Sequence, residues 1–296
     1  MIRIERPKPF DLKVTAFSHG WVDLETFRYD ESRRRLSTAC LIDGRPIDLA
    51  IEDDGDSIVG RAGGASAFGA QAKRSVKEAV VRMLRLDEDL LDFWKRCRRD
   101  ERLRWAARRG AGRILRAADP FEDFLKILFT TNCTWAATRL MTKRLVLALG
   151  QETPSGARAF PSAAACLAAG PRFFEEVVRA GYRAGAAVEL AQRFAEADPL
   201  AAIDIRDADA TRKSITAWRG FGPYAAGQAM RLLGAYQDFA LDSWCRAELM
   251  RKWEKRKPPG EKDVARAYAE YGDWRGLALW LDLTAGWHRA ARRPLA

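Results

Sequence analysis

The chain has 296 residues, 51 Lys and Arg against 40 Asp and Glu, a net charge of +11 and a pI near 9.7. That length allows two domains or one large one with a substantial core. The longest apolar runs are broken by residues such as Lys126 and Arg139, well short of the roughly 18 residues that cross a bilayer.

The excess of positive charge favours a polyanionic partner, nucleic acid being the commonest. Five scattered cysteines without a Cys-x-x-Cys, and only two histidines (His19 and His288), argue against a disulfide framework, an iron–sulfur cluster or a zinc site. No metal and no cofactor are therefore expected. MIRIERPKPF lacks the apolar stretch of a secretion signal, so a cytoplasmic protein, nucleoid-associated if bacterial, with no membrane segment is expected.

In chain order, the first 75 or so residues read as short strands. The segments FDLKVTAF, RRRLSTACLID, RPIDLAIED and DSIVGRAGG alternate polar and apolar residues between turn signals such as Asp43-Gly44 and Asp54-Gly55. From AKRSVKEAVVRMLRLDEDLLDFWKR the spacing turns helical, with Val76, Ala79, Val80, Met83 and Leu84 on one stripe. KRCRRDERLRWAARRG, with eight basic and two acidic residues, reads as a solvated helix face or connection, with DNA contact as the alternative. Further helices are expected over 120–150, 162–169, 172–180, 183–197, 207–218, 223–234, 243–255, 261–271 and 274–290, from caps and glycine stops. The predicted architecture is α+β: a small N-terminal antiparallel sheet domain with flanking helices over 1–115, then a large all-α body over 116–296.

WRGFGPYAAGQAMRLLGAYQDFALDSW raises the functional question. A helix ends at Gly220-Phe221-Gly222 and another begins at Pro223, a residue suited to a first turn. Glycines here allow positive φ and close approach of another backbone, and the free amides of the new helix form an anion site. The hairpin reads either as a phosphate clamp for a DNA strand or as a plain turn. Asp242 opens the next helix 20 residues after Gly222. An intervening helix of about eleven residues is roughly 16 Å long, so a short return brings Asp242 back toward the hairpin. It reads as an N-cap, as a catalytic carboxylate, or as both.

This stretch resembles the signature of the helix–hairpin–helix DNA glycosylases, in particular the 3-methyladenine II and 8-oxoguanine branch. DPFEDFLKILFTTNCTWAATRLMTKRLVLALG is similar to the family's helix that carries its gap-filling residue. FPSAAACLAAG and AGYRAGAAVELAQRFAE follow in family order, and the N-terminal sheet stands where the family has its small β domain. The resemblance covers roughly residues 10–290.

It implies a base-excision enzyme that flips a damaged nucleotide out of double-stranded DNA, working as a monomer. Asp242 would stabilise the oxocarbenium-like sugar and orient water; a carboxylate, anionic at neutral pH, suits both tasks. Gly220, Gly222 and Tyr224 would bind phosphate through their backbone, with Gln228 nearby. Asn132 and Tyr182 would fill the vacated stack, and Arg183 would approach the orphaned base.

Departures from the pattern narrow the reaction. Where strand-cutting relatives carry a lysine, this chain has Tyr224, which cannot form a Schiff base; a monofunctional enzyme is expected. The four-cysteine cluster of the endonuclease III branch is missing. Ala137, Leu279 and Leu283 stand where the 8-oxoguanine enzymes place base readers. Trp218, Trp244, Trp274 and Trp280 would instead build an aromatic pocket for an alkylated purine of the 3-methyladenine or 7-methylguanine type. The alternatives are an oxidised-purine glycosylase and a non-catalytic DNA-binding protein.

Overall fold

A computed structural model describes residues 1–63 and 69–288. The strands are β1 (Ile2–Glu5), β2 (Phe27–Asp30), β3 (Arg35–Ile42), β4 (Arg45–Asp53) and β5 (Ser57–Gly63). The first helices are α1 (Leu12–Ala16), α2 (Ala70–Leu84), α3 (Leu91–Cys97), α4 (Arg104–Arg109), α5 (Pro120–Thr130), α6 (Trp135–Leu149) and α7 (Ala163–Phe173). They are followed by α8 (Ala184–Glu196), α9 (Ala208–Thr216), α10 (Pro223–Leu233), α11 (Ser243–Lys252), α12 (Glu261–Ala267) and α13 (Arg275–Thr284). This is the expected α+β class, and no described helix is long and apolar enough to cross a membrane.

The chain forms two compact units, and they do not meet at a single cut near residue 115. One takes residues 1–88 and 113–201; the other takes 89–112 and the described residues from 202 onward. Hydrogen bonds explain the exchange of segments. In the second unit Arg96 donates to the Glu270 carbonyl at 2.6 Å and Tyr271 to Asp100 at 2.8 Å, tying α3 and the turn after it to the segment between α12 and α13. In the first, Asp48 of β4 accepts from Thr153 at 2.7 Å and Trp21 donates to Asp123 of α5 at 2.8 Å.

The first unit contains an antiparallel sheet in the order β1-β5-β4-β3-β2. Leu36, Ile47, Leu49, Ile51 and Ile58 are buried in it, and α2 buries the predicted stripe of Val76, Ala79, Val80, Met83 and Leu84. FDLKVTAF is a correction: it forms α1, because Asp11 caps the turn by accepting from Val14 N at 3.0 Å. The edge strand β1 lies outside the predicted strands. Gly64, at the end of DSIVGRAGG, and residues 289–290 of the last predicted helix lie outside the described residues.

The single helix expected over 120–150 is broken. Asn132 has a left-handed φ of 45°, and Thr134 starts α6 by accepting from Ala137 N at 3.2 Å. Asparagine tolerates that conformation better than most residues, and threonine is a good N-cap. The four-residue turn Thr131–Thr134 lifts Asn132 out of the helix and exposes it.

Candidate active site and nucleic-acid interface

The hairpin and Asp242 belong to the second unit. Asp207 caps α9 by accepting from Ala210 N at 2.9 Å. The turn then closes through Phe221 N donating to the Trp218 carbonyl at 3.0 Å, and Phe221 is buried edge-on to Trp218 at 5.8 Å. Gly220 has φ +84°, a conformation that favours glycine. Gly222 does not share it: its φ is −70°, and an added Cβ would meet nothing within 4 Å. Nothing in the unit's own packing demands glycine at 222. The position is open to an approaching molecule, at the amino end of α10.

From Gly234, with φ +100°, the chain turns back along α10. Two glycines let it come close. A Cβ on Gly227 would lie 2.8 Å from Ala240 Cβ and 3.0 Å from Asp238 Oδ1, and one on Gly276 would collide with the Asp238 carbonyl. The segment from Tyr236 to Asp242 is thus held between α10 and α13. Asp238, itself buried, accepts from Ala240 N at 2.6 Å and pairs with Arg212 of α9. Gly276 N donates to the Tyr236 carbonyl at 2.8 Å.

This clamp delivers Asp242 to the start of α11. Its carboxylate is half-buried and accepts from Cys245 N at 2.6 Å. Burial, then the neighbouring Asp242 charge, push the Cys245 thiol up to about 12, so it stays a neutral S–H. Capping and catalysis are compatible here, since one carboxylate oxygen suffices for the cap.

Trp244 and Trp280 form a cluster with Trp287, which sequence reasoning missed; ring centroids lie 5.5–5.8 Å apart. Trp274 is not in it. It stacks on Tyr236 at 5.5 Å, packs on Phe93 at 5.6 Å and hydrogen-bonds Asp92, so it is half-buried in packing elsewhere in the unit. Trp218 belongs to the hairpin. Tyr224 is half-buried in the first turn of α10. Gln228, expected at phosphate, accepts from Arg231 Nη1 at 2.8 Å. Arg231 was also missed, although an arginine in an otherwise apolar helix stripe was a visible signal.

In the first unit Asn132 Nδ2 donates to the Tyr182 hydroxyl at 3.1 Å, and Tyr182 is 62% exposed. Gly181, at φ +59°, precedes it in a tight turn. Arg183 differs from expectation. Its guanidinium is buried, lies 4.5 Å from the Tyr182 ring centre, and donates to Thr131 and the Ala180 carbonyl. Those bonds hold it behind the Asn132–Tyr182 pair, with little left to reach a base.

Neither a family model nor a curated protein sequence matches the chain. Solved structures do. The 3-methyladenine DNA glycosylase from Archaeoglobus fulgidus superposes with a TM-score of 0.76 at 19% identity, over 97% of this chain and 99% of that one. MBOgg1 in complex with a low-affinity DNA ligand gives 0.74 at 18% identity, over 97% and 95%. The Clostridium acetobutylicum 8-oxoguanine glycosylase/lyase in its apo-form gives 0.71 at 18%, over 95% of each. Likeness along nearly the whole chain, joined to the hairpin and the aspartate it leads to, shows that this protein has the helix–hairpin–helix DNA glycosylase fold.

Proposed function

We propose that the protein is a monofunctional DNA glycosylase that hydrolyses the N-glycosidic bond of a damaged purine, with alkylated purines as the substrate class. The observation that carries this is Asp242: a half-buried carboxylate clamped at a helix start, two residues from Trp244 and the tryptophan cluster. A neutral Ser, Thr or Asn could serve the cap alone; the negative charge is what the chemistry uses.

The base must leave the stack to be reached, at a cost of a few kcal/mol. Backbone amides at Gly222 and Tyr224 would take a phosphate of the DNA strand, helped by the dipole of α10. Asn132 and the exposed Tyr182 would fill the vacated space, with Arg183 as the residue that positions them. As the glycosidic bond breaks, positive charge grows on the sugar, and the fixed Asp242 carboxylate stabilises it without reorganising. Water then adds to the sugar and the base departs.

The similar structures include both a 3-methyladenine enzyme and an 8-oxoguanine glycosylase/lyase, so the fold alone does not choose a lesion. The aromatic cluster supports an alkylated base. Tyr224 supports hydrolysis without strand cleavage, since it has no amine for a Schiff base. Lys252, on α11, is committed to the Asp282 carbonyl and carboxylate at 2.9 and 2.5 Å.

The test is a panel of duplexes, each with one lesion, incubated with enzyme and then with or without alkali. Release of alkylated purines ahead of 8-oxoguanine, with strand breaks only after alkali, is expected. Faster 8-oxoguanine release, or an adduct trapped by borohydride, would reverse the assignment.

A further inference from the structure

KRCRRDERLRWAARRG, residues 95–110, is a basic stretch that the proposed chemistry leaves unused. It covers the end of α3, a hydrogen-bonded turn and α4. The inward side is apolar, with Phe93, Trp94, Cys97, Ala106 and Ala107 buried. Lys95, Arg98, Arg99, Arg104 and Arg108 are exposed on the outer side. Among the described residues none of these five makes an ion pair. Of the two acids in the stretch, Asp100 is taken up by Arg102 and by the Tyr271 hydroxyl, both at 2.8 Å, which leaves Glu101.

Exposed arginines elsewhere in the chain do find acids. Arg172 pairs with Glu176 at 2.7 Å, Arg206 with Asp204 at 2.9 Å and Arg251 with Glu248 at 2.6 Å. The outer side of α3 and α4 departs from that at some cost. Arg104 and Arg108 stand four residues apart on α4, a spacing at which like charges destabilise a helix. Arg104 is also the first residue of α4, where the helix dipole disfavours a cation. Stability of the fold does not explain the arrangement; a polyanion laid over it does.

The backbone beneath the charges is fixed. The Arg102 guanidinium lies 5.2 Å from the Tyr268 ring centre. Phe93 packs on Trp274 at 5.6 Å, and Trp274 stacks at 5.5 Å on Tyr236, where the segment that leads to Asp242 begins. Such a surface has little backbone ordering left to lose when it binds. The same compact unit holds the hairpin. With roughly 110 described residues it is about 35 Å across, close to one turn of duplex. A duplex seated on the hairpin therefore stays within about a turn of this face.

We propose that Lys95, Arg98, Arg99, Arg104 and Arg108 form a second DNA-binding face, which takes backbone phosphates of the undamaged duplex flanking the lesion. This rests on the DNA-binding part of the glycosylase reading and adds an anchor separate from the hairpin and from the Asn132–Tyr182 pair. Phosphate contacts carry no sequence information, so the face holds any duplex and keeps the enzyme on DNA between lesions.

The experiment measures Kd for an undamaged duplex of roughly 25 base pairs, more than two turns, as KCl is raised from about 50 to 300 mM. The slope of log Kd against log salt counts neutralised phosphates, at about 0.9 for each. Changing Arg98, Arg99, Arg104 and Arg108 together to Gln should reduce the slope by about two to four and weaken binding at least about tenfold at the lowest salt. The same four positions changed to Lys should keep the wild-type slope, since charge is what the phosphates read. A control loses four acid-paired arginines, Arg3, Arg172, Arg206 and Arg251, so its net charge falls equally. Its slope should stay within about 0.5 of wild type. The urea midpoint of the four-Gln variant should hold or rise, because a like-charge spacing is removed. Should it fall, the Arg98/Arg99 and Arg104/Arg108 double variants replace it, each expected to lose about one to two units of slope. An unchanged slope overturns the proposal and leaves an acidic protein segment as the partner of the face. An equal change in the control also overturns it, by making net charge the sole cause. Wild-type enzyme that binds through this face but releases no lesion would strike the catalytic reading alone.

Discussion

Gly227→Ala separates the placement of Asp242 from the stability of the fold. The added methyl would stand 2.8 Å from Ala240 Cβ and 2.9 Å from its Cα. An ordinary carbon–carbon contact is about 3.5 Å, so the returning segment must retreat by about 0.7 Å. Ala240 is two residues from Asp242, and the segment is pinned on its other side at Gly276, so the shift is carried toward the carboxylate. Replacing glycine by alanine inside a helix gains about 1 kcal/mol of propensity. Overpacking costs about 1–3 kcal/mol, so the net loss of stability is roughly 0–2 kcal/mol. A displacement near 1 Å of a reacting group costs on the order of a hundredfold. Single-turnover excision should therefore fall roughly 10- to 100-fold in a protein whose urea midpoint barely moves. Excision within twofold of wild type would refute the idea that this clamp sets the position of Asp242.

Gly222→Ala should leave stability nearly unchanged, because its Cβ enters open space, yet weaken duplex binding about tenfold in a fluorescence titration; unchanged affinity would remove the hairpin from the DNA interface. Asn132→Ala or Tyr182→Ala should slow excision from duplex more than from already unpaired substrate, since the lost task is stabilising the flipped state; equal loss on both would indicate a folding role. Glu122 gives a pH prediction. Burial raises its carboxyl to about 7 despite Lys126 Nζ at 2.5 Å, so the folded state holds a proton that the unfolded chain releases near 4.5. Its contribution is complete below about pH 4.5 and is lost as pH rises through 7, a change of at most roughly 3 kcal/mol. Glu122→Gln, which mimics the protonated carboxyl and keeps an oxygen to accept from Lys126, should flatten urea-denaturation stability over that window; an unaltered slope would contradict the assignment.

Local signals carried the hairpin well. Pro223 opens α10, Gly234 closes it and Asp242 caps α11, as the residue types require. The sheet was readable where β3, β4 and β5 alternate, but FDLKVTAF alternates too, and there one capping carboxylate at Asp11 decided for helix. The kink at Asn132 was hidden because apolar spacing continues on both sides of it; the signal was the run of Thr130, Thr131 and Thr134, residues that favour caps over helix interiors. Tertiary arrangement was the least legible. A count of tryptophans could not separate Trp274, which packs on Tyr236, from Trp287, which joins the cluster. The exchange of residues 89–112 into the C-terminal unit depends on long-range hydrogen bonds such as Arg96 to Glu270.

The central claim is that Asp242 performs the chemistry. Asp242→Asn keeps an oxygen able to accept from Cys245 N, so the cap, the fold and duplex affinity should persist. Single-turnover base release should fall by about a hundredfold or more, the scale of one electrostatic catalytic group. Loss of release at unchanged DNA affinity is the predicted result; excision near the wild-type rate by a folded, DNA-binding Asp242→Asn protein would contradict the account.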